Sequence, residues 1–158
     1  MEWREQDTST CAIGTTLDLV GKPWVLLIMR EVFRGLHRFS DIQAHLDVSR
    51  PLLAARLEAL VQAGVLARVP YREPGQRPRH EYQLTEKGRD LYPVLTALRD
   101  WGDRHLPKDD GPSTIVEHRG CGARVHAALV CEDGHRLESY EDVQARPGPG
   151  ARSLTARG

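Results

Sequence analysis

Apolar residues recur at helical spacing from the eleventh residue onward. The spacing predicts a first helix over residues 11–20, which Ser9 or Thr10 would cap. A second helix is predicted over residues 23–33, and it is apolar almost all round, so we expect it to be the central buried helix. The apolar stripe of the first helix consists of Ile13, Leu17 and Val20.

Two shorter helices follow. Ser40 and Gln43 have the spacing of a capping box at the start of a helix over residues 40–45. Ser49 is the predicted cap of the next helix, over residues 50–63. The predicted core stripe of this helix is Leu53, Leu57, Leu60 and Val61.

After residue 64 the pattern of apolar residues changes from the helical period to that of β-strands. Residues 65–69 and 80–84 are strand-like, and the Pro-, Gly- and Arg-rich loop over residues 70–79 joins them as a hairpin. A further short strand is predicted over residues 36–39.

A long final helix is predicted over residues 85–106, with Thr85 as its cap and Pro93 as a candidate kink. Two short helices and a hairpin with a basic loop are the layout of a winged helix-turn-helix, a mainly α fold with a small β-hairpin wing (α+β). The first and last helices each have an apolar stripe that must be covered, which predicts a two-fold homodimer.

Composition divides the chain into five regions. Turn-forming residues and a shift in Cys and His content mark the boundaries after the last helix. We expect a flexible N-terminus (1–10), a winged helix-turn-helix domain with dimerisation helices (11–106), a linker (107–113), a small Cys/His-containing appendage (114–143) and a disordered tail (144–158).

The overall composition is that of a globular protein without large net charge. The 158 residues include 22 Lys or Arg and 22 Asp or Glu, so the formal net charge is zero. The longest apolar run, Val25–Met29, is too short to span a bilayer, and the N-terminus has no apolar signal core. Three cysteines do not make a disulfide framework. We therefore expect a cytoplasmic protein with no membrane partner.

Charge is nevertheless uneven along the chain. Residues 49–89 contain eight basic and four acidic residues, an excess of four positive charges over the predicted 50–63 helix, the wing and the start of the last helix. A local excess of this kind favours double-stranded DNA as a partner.

An ordered set of short motifs matches a known family. The motifs are Cys11-Ala12-Ile13, LDLVGKPW at 17–24, RFSDI at 38–42, VSR at 48–50, GVL at 64–66, PRHEY at 78–82, LTEKGR at 84–89, PVL at 93–95 and Trp101-Gly102. Over about residues 11–102 the chain resembles the HxlR-type transcriptional regulators, relatives of the MarR-like winged-helix proteins. The resemblance implies a dimeric DNA-binding regulator. The family often has Pro-Lys after the cap serine, whereas this chain has Arg50-Pro51, so a base preference is not carried over.

The winged layout places candidate DNA contacts on two elements. Arg50 is the candidate for a base-edge contact, Arg56 either enters the groove or folds back onto a carboxylate, and Ser49 either only caps its helix or also donates to a phosphate. The wing either contacts DNA, at phosphates or in the minor groove, or is a solvated loop. The candidates are Ser40, Ser49, Arg50, Leu52, Ala54, Ala55 and Arg56 on the helices, and Arg72, Gln76, Arg77 and Arg79 on the wing.

Cys11 lies at the start of the first predicted helix, where partial positive charge favours a thiolate. The resemblance implies a redox-sensing candidate, because some members of the family sense oxidants or electrophiles through a cysteine at this position. The alternative is a small buried apolar residue.

The appendage has two cysteines with histidines at short spacing. His118, Cys121, Cys131 and His135 could hold tetrahedral zinc, which would replace the missing core of so short a segment. A cysteine pair and simple packing of a hairpin over residues 124–130 are the alternatives. Elsewhere the sequence calls for no cofactor.

Three classes of function compete. The first is a sequence-specific repressor that binds an inverted-repeat operator as a homodimer and responds to a small-molecule or electrophile effector. The second is a winged-helix module that binds protein without specific DNA binding. The third, a zinc or thiol enzyme, is not expected, since the sequence has no nucleophile motif or phosphate loop.

Overall fold

A computed structural model of the chain describes residues 3–154. These residues form two compact units, residues 3–89 with 146–154 and residues 90–145. The first unit contains the helix-turn-helix and its wing, and the second contains the last long helix and the appendage. The sequence placed the boundary in the linker after that helix, whereas the structure divides the chain before it. The predicted flexible and disordered ends include residues 1–2 and 155–158, which lie outside the described residues.

Two helices open the first unit, α1 (Ala12–Val20) and α2 (Val25–Phe33), and they are bent by 77° relative to each other. The N-cap of α1 is Cys11, so the predicted cap at Ser9 or Thr10 is wrong. Those two residues lie instead in a 3-10 turn, Thr8–Thr10, in which the Asp7 carboxylate accepts a hydrogen bond from Ser9 N at 2.9 Å.

The core of the first unit lies between α2, α3 (Phe39–Leu46) and α4 (Arg50–Gln62). Each helix has apolar residues on the face that it buries, as the periodicity predicted. The predicted capping box is wrong, because α3 begins at Phe39 and Ser40 donates to the Asp41 carboxylate instead. The buried apolar residues of these three helices are Val25, Ile28, Met29, Val32, Ile42, Leu46, Leu53, Leu57 and Leu60.

The wing is an antiparallel hairpin of β1 (Leu66–Tyr71) and β2 (Arg79–Leu84), with Leu66 opposite Leu84 and Tyr71 opposite Arg79. The strand predicted over residues 36–39 is reduced to one bridge, in which Arg38 pairs with Glu81 on β2. The segment before α3 thus ties the helix-turn-helix to the wing.

The predicted final helix is two helices, α5 (Glu86–Arg89) and α6 (Tyr92–His105). Thr85 caps α5, since its hydroxyl oxygen accepts a hydrogen bond from Gly88 N at 3.0 Å. Pro93 lies in the first turn of α6. A proline ring clashes with the carbonyl four residues earlier, here that of Arg89, so the helix breaks rather than kinks.

In the second unit, α6 holds the appendage through polar contacts. Arg99 donates to Val125 O at 2.7 Å, and the Asp100 carboxylate accepts from Ala127 N at 2.7 Å. Partial burial raises the pKa of Asp100, but the Ala127 hydrogen bond and the charge of Arg99 outweigh it and hold that pKa below its ordinary value.

The appendage has a different hairpin from the one predicted over residues 124–130. Its strands are β3 (Leu129–Val130) and β4 (Arg136–Leu137), and a separate bridge joins Glu117 to Arg124. None of the described residues from 107 to 154 is buried.

The ends of the chain meet in the first unit. Asp7 N donates to Arg152 O at 2.7 Å, and Gln6 forms a bridge with Ser153. The flexible N-terminus and disordered tail that the sequence predicts stay a prediction. Among residues 3–154, no single helix has both the length and the apolar character needed to cross a membrane, and only α1 and α2 together pass that test.

Candidate nucleic-acid interface

The helix α4 has a buried face and an exposed face. Leu53, Leu57 and Leu60 are fully buried, whereas Val61, the fourth residue of the predicted core stripe, is only half-buried. On the other face Arg50, Ala54 and Ala55 are exposed, and Leu52 is half-buried. Because Ala side chains are short, this face can approach the floor of a DNA groove closely.

The position of Arg50 is fixed by an aromatic ring. Its guanidinium carbon lies 5.0 Å from the centre of the Phe39 ring on α3, within the range of a cation–π contact. Ser49 is the N-cap of α4 by position, as predicted, but its hydroxyl makes no capping bond. Ser40, in the first turn of α3, is exposed. The start of α4 therefore presents the positively charged side chain of Arg50, held by a ring, together with serine hydroxyl groups.

Arg56 folds back onto the protein. Its Nε donates to Pro23 O at 3.1 Å, in the turn between α1 and α2. The sequence left a groove contact and a fold-back onto a carboxylate open, and the observed acceptor is a backbone carbonyl. This contact ties α4 to the turn between α1 and α2 and uses the Nε donor of Arg56.

The wing loop presents polar side chains to solvent. A turn with Gln76 N donating to Glu73 O at 3.0 Å closes its tip, and Gly75 there has φ +76°, a conformation that favours glycine. The exposed side chains of the loop and strand start include all four wing candidates, Arg72, Gln76, Arg77 and Arg79.

Arg38 is a residue that the sequence analysis did not single out. Its guanidinium lies 2.7 Å from the Glu73 carboxylate and 4.5 Å from the centre of the Tyr71 ring. Arg38 thus links the segment before α3 to the base of the wing loop. Its place in the RFSDI motif was the available signal, but a partner more than thirty residues away cannot be assigned from sequence alone.

Other cations of the basic region are used internally. Arg68 is paired with Glu58, and hydrogen bonds from Gln62 and Arg68 hold the pKa of Glu58 below its ordinary value. Lys87 donates to Ala63 O at 2.8 Å and Arg89 to Leu84 O at 3.1 Å. Arg68 is thus neutralised by a carboxylate, whereas Lys87 and Arg89 keep their charge on a backbone carbonyl. The exposed arginines Arg50, Arg72, Arg77 and Arg79 are the main candidates for contact with a polyanion.

A buried carboxylate supports α3, and the sequence analysis missed it as well. Glu31 on α2 is fully buried, and Arg30 Nε donates to its Oε1 at 2.6 Å. His45 Nδ1, in the last turn of α3, lies 2.9 Å from the other oxygen, Oε2. Because removing one partner of a buried charge is costly, this cluster fixes α3 relative to α2.

Two helices present apolar side chains to solvent. On α1, Ile13 is 72% and Leu17 54% exposed, and Val20 is the buried residue. On α6, in the second unit, Leu98 and Trp101 are exposed. Each stripe is the kind of surface that another protein chain covers.

The cysteines lie at three separate places. Cys11 is exposed at the N-cap of α1. In the appendage, His118 Nδ1 lies 3.3 Å from Cys121 Sγ, and His135 Nδ1 lies 3.5 Å from Cys131 Sγ. Between residues 3 and 154 no three His, Cys, Asp or Glu side chains converge as a ligand set.

Known proteins share this architecture. A sequence model of the HxlR-like helix-turn-helix family matches residues 19–110. An HTH-type transcriptional regulator of Mycobacterium tuberculosis H37Rv is 40% identical over 145 residues, 92% of this chain and 90% of the relative. One from Bacillus subtilis 168 is 30% identical over 111 residues, 70% of this chain and 85% of the relative.

Solved structures agree. The transcription factor PA1607 superposes with a TM-score of 0.77 at 35% identity, covering 89% of this chain and 96% of that one. The oxidised redox regulator HypR superposes with a TM-score of 0.54 at 28% identity, covering 60% of this chain and 97% of that one. The fold is a winged helix-turn-helix, as predicted, and the chain belongs to the HxlR-like helix-turn-helix family of transcriptional regulators.

Proposed function

We propose that the protein is a sequence-specific DNA-binding repressor that acts in the cytoplasm as a homodimer on an inverted-repeat operator. The observation that carries this proposal is the exposed face of α4, where Arg50 is held against Phe39 beside Ala54 and Ala55. In a winged helix-turn-helix this helix enters the major groove, and arginine is the commonest reader of guanine edges.

The homodimer is supported by the apolar stripes on α1 and α6. A second copy of the chain would cover Ile13, Leu17 and Trp101, which are exposed in the single chain. Two recognition helices related by a two-fold axis read half-sites about one helical turn apart, which is why the operator is expected to be an inverted repeat. Repression follows if the occupied operator blocks the promoter.

The test is selection of DNA sequences bound by the full chain, followed by binding assays on the selected site. Arg50→Ala is expected to weaken binding to that site by about 1–3 kcal/mol per half-site and to relax the preference at one base position, because a base-edge contact is lost. Arg56→Ala is the matched control on the same helix. Since Arg56 is bound to Pro23 O, its removal should lower thermal stability and leave the base preference unchanged.

Selection that returns no common sequence would contradict the proposal and favour a winged-helix module that binds protein. An unchanged base preference in Arg50→Ala would contradict the assignment of Arg50 as the reader.

We also propose that Cys11 makes DNA binding responsive to an electrophile or oxidant. The thiol is exposed at the N-cap of α1, so a reagent in solution can reach it. HypR, which the chain resembles at 28% identity, is described as a redox regulator. A group attached at Cys11 would sit beside the exposed stripe of α1 and disturb its packing in the dimer.

Treatment with a maleimide is expected to lower operator affinity roughly tenfold, about 1.4 kcal/mol. Cys11→Ser keeps Cys121 and Cys131, so it isolates the effect of one thiol. The proposal requires the variant to bind DNA equally well before and after treatment. Equal loss of affinity in both proteins would assign the response to the appendage cysteines instead.

A further inference from the structure

We propose that the appendage is a zinc-binding module in which one ion is held by two loops, each supplying one thiolate and one imidazole. The first loop, residues 118–122, carries His118 and Cys121 and is called the HC loop. The second, residues 131–135, carries Cys131 and His135 and is called the CH loop. The four candidate ligands belong to the second unit, whereas the candidate DNA contacts and Cys11 belong to the first.

Both loops are closed by backbone hydrogen bonds that hold the two side chains of a pair together. In the HC loop, Cys121 N and Gly122 N donate to His118 O at 3.2 and 2.8 Å. In the CH loop, Gly134 N donates to Cys131 O at 2.9 Å and Cys131 N to His135 O at 3.0 Å. Gly122 and Gly134 have φ of +71° and +82°, so each tight turn depends on a glycine.

The sulfur–nitrogen distance within each pair is close to the distance between two ligand atoms on a tetrahedral zinc ion. With Zn–S of about 2.3 Å and Zn–N of about 2.0–2.1 Å, the tetrahedral angle separates sulfur from nitrogen by about 3.6 Å. The observed separations are 3.3 Å in the HC loop and 3.5 Å in the CH loop, and both involve Nδ1. Each loop is therefore one preorganised half of a Cys2His2 site.

The appendage also lacks the packing that would otherwise stabilise it. None of its described residues is buried, and Leu129 and Val130 of its hairpin are more than half exposed. Small segments without a core are commonly stabilised by a metal ion, whose binding energy is folding energy. No three candidate ligands among residues 3–154 converge in the chain alone, so binding must bring the HC loop and the CH loop together.

The experiment is a titration of the reduced, chelator-treated full chain with Co²⁺, a spectroscopic substitute for Zn²⁺. We expect one Co²⁺ per chain, visible bands of tetrahedral cobalt, a thiolate-to-cobalt charge-transfer band, and loss of all of them when Zn²⁺ is added. Zinc should also protect residues 114–143 from hydrogen exchange, because the two loops become cross-linked.

Cys121→Ser and Cys131→Ser are each expected to raise the Co²⁺ dissociation constant by at least about a hundredfold, since each removes one of four ligands. His126→Ala is the matched control, because its imidazole lies in the same appendage but 3.5 Å from Asp100 and outside both loops. Cys11→Ser is the control for the remaining thiol. Both controls should bind cobalt as the parent does, and thermal unfolding of all four variants checks that the winged unit is folded.

Several results would overturn the proposal. They are two ions per chain, half an ion per chain, a charge-transfer band that survives Cys131→Ser, a band lost in Cys11→Ser, and the absence of any charge-transfer band. A Cys121–Cys131 disulfide in protein purified without reductant and resistant to mild reduction would also overturn it, since the thiolates would then not be available.

Discussion

Binding of the homodimer to its operator is expected to weaken by ~10⁴-fold between about 50 and about 200 mM salt. The exposed arginines that we assign to DNA contact in each chain are Arg50, Arg72, Arg77 and Arg79. If two chains bring all of them to phosphates or groove edges, the slope of log affinity against log salt is about −7. Such steepness is compatible with a net charge of zero, because the slope depends on the number of phosphates that are neutralised at the interface and not on the charge of the whole chain.

Two single variants test this assignment. Arg77→Ala should make the slope shallower by roughly two in the dimer and weaken all sequences about equally, because it removes a phosphate contact from each wing. Arg68→Ala carries the same formal change in charge, but Arg68 is bound to Glu58, so its slope should equal that of the parent.

The measurement is operator affinity at four or more salt concentrations for the parent and both variants. Equal slopes for parent and Arg77→Ala would show that the wing does not contact the backbone. A parent slope near −4 would indicate that only one chain binds, which contradicts the homodimer.

Gly88→Ala is expected to destabilise the winged unit by about 2–4 kcal/mol, among the largest effects of any single methyl group in this chain. A Cβ at residue 88 would lie 2.2 Å from Val65 O and 3.2 Å from Val65 C. Both are backbone atoms of the turn between α4 and β1, so no change of rotamer relieves the clash.

The site is constrained from several directions at once. Thr85 Oγ1 donates to Gly64 O at 2.6 Å and accepts from Gly88 N at 3.0 Å, and Thr85 N donates to Val65 O at 3.2 Å. Movement of α5 away from Val65 would therefore break the cap of α5 and its bonds to the turn. The cost includes hydrogen bonds as well as the steric overlap.

Gly102→Ala, in α6, is the matched control. A Cβ there meets nothing within 4 Å, so the variant should stabilise its helix by up to about 1 kcal/mol through helix propensity. Thermal unfolding of the full chain, followed by far-ultraviolet circular dichroism and by hydrogen exchange of α4, separates the two outcomes. Unchanged exchange of α4 in Gly88→Ala would contradict the packing described for this glycine.

The sequence by itself determined the identity of the elements and the faces that they bury. The leucines of α4 recur at the helical period, and Leu53, Leu57 and Leu60 are all buried. The change to a two-residue period correctly placed the hairpin. These features can be predicted locally, because the spacing of apolar residues along one element shows which face it buries, whatever that face packs against.

Helix ends were less predictable, since they depend on the surroundings. The capping-box pattern at Ser40 was overridden: Arg38 forms a bridge with Glu81 on another element, and α3 begins directly after it, at Phe39. The predicted helix over residues 85–106 was broken by Pro93, whose effect on the helix depends on whether other contacts support a kink.

Only the tertiary structure decided which arginines are hydrogen-bonded or ion-paired within the protein. Along the chain, Arg50, Arg56, Arg68 and Arg77 contribute equally to the positive excess. In the fold, Arg56 donates to Pro23 O and Arg68 pairs with Glu58. Arg50 instead lies over the Phe39 ring and is exposed, and Arg77 is exposed on the wing. The reason is physical: the partner of a long charged side chain is chosen by distance in space, and residues 10 and 33 positions apart become neighbours only when the chain has folded.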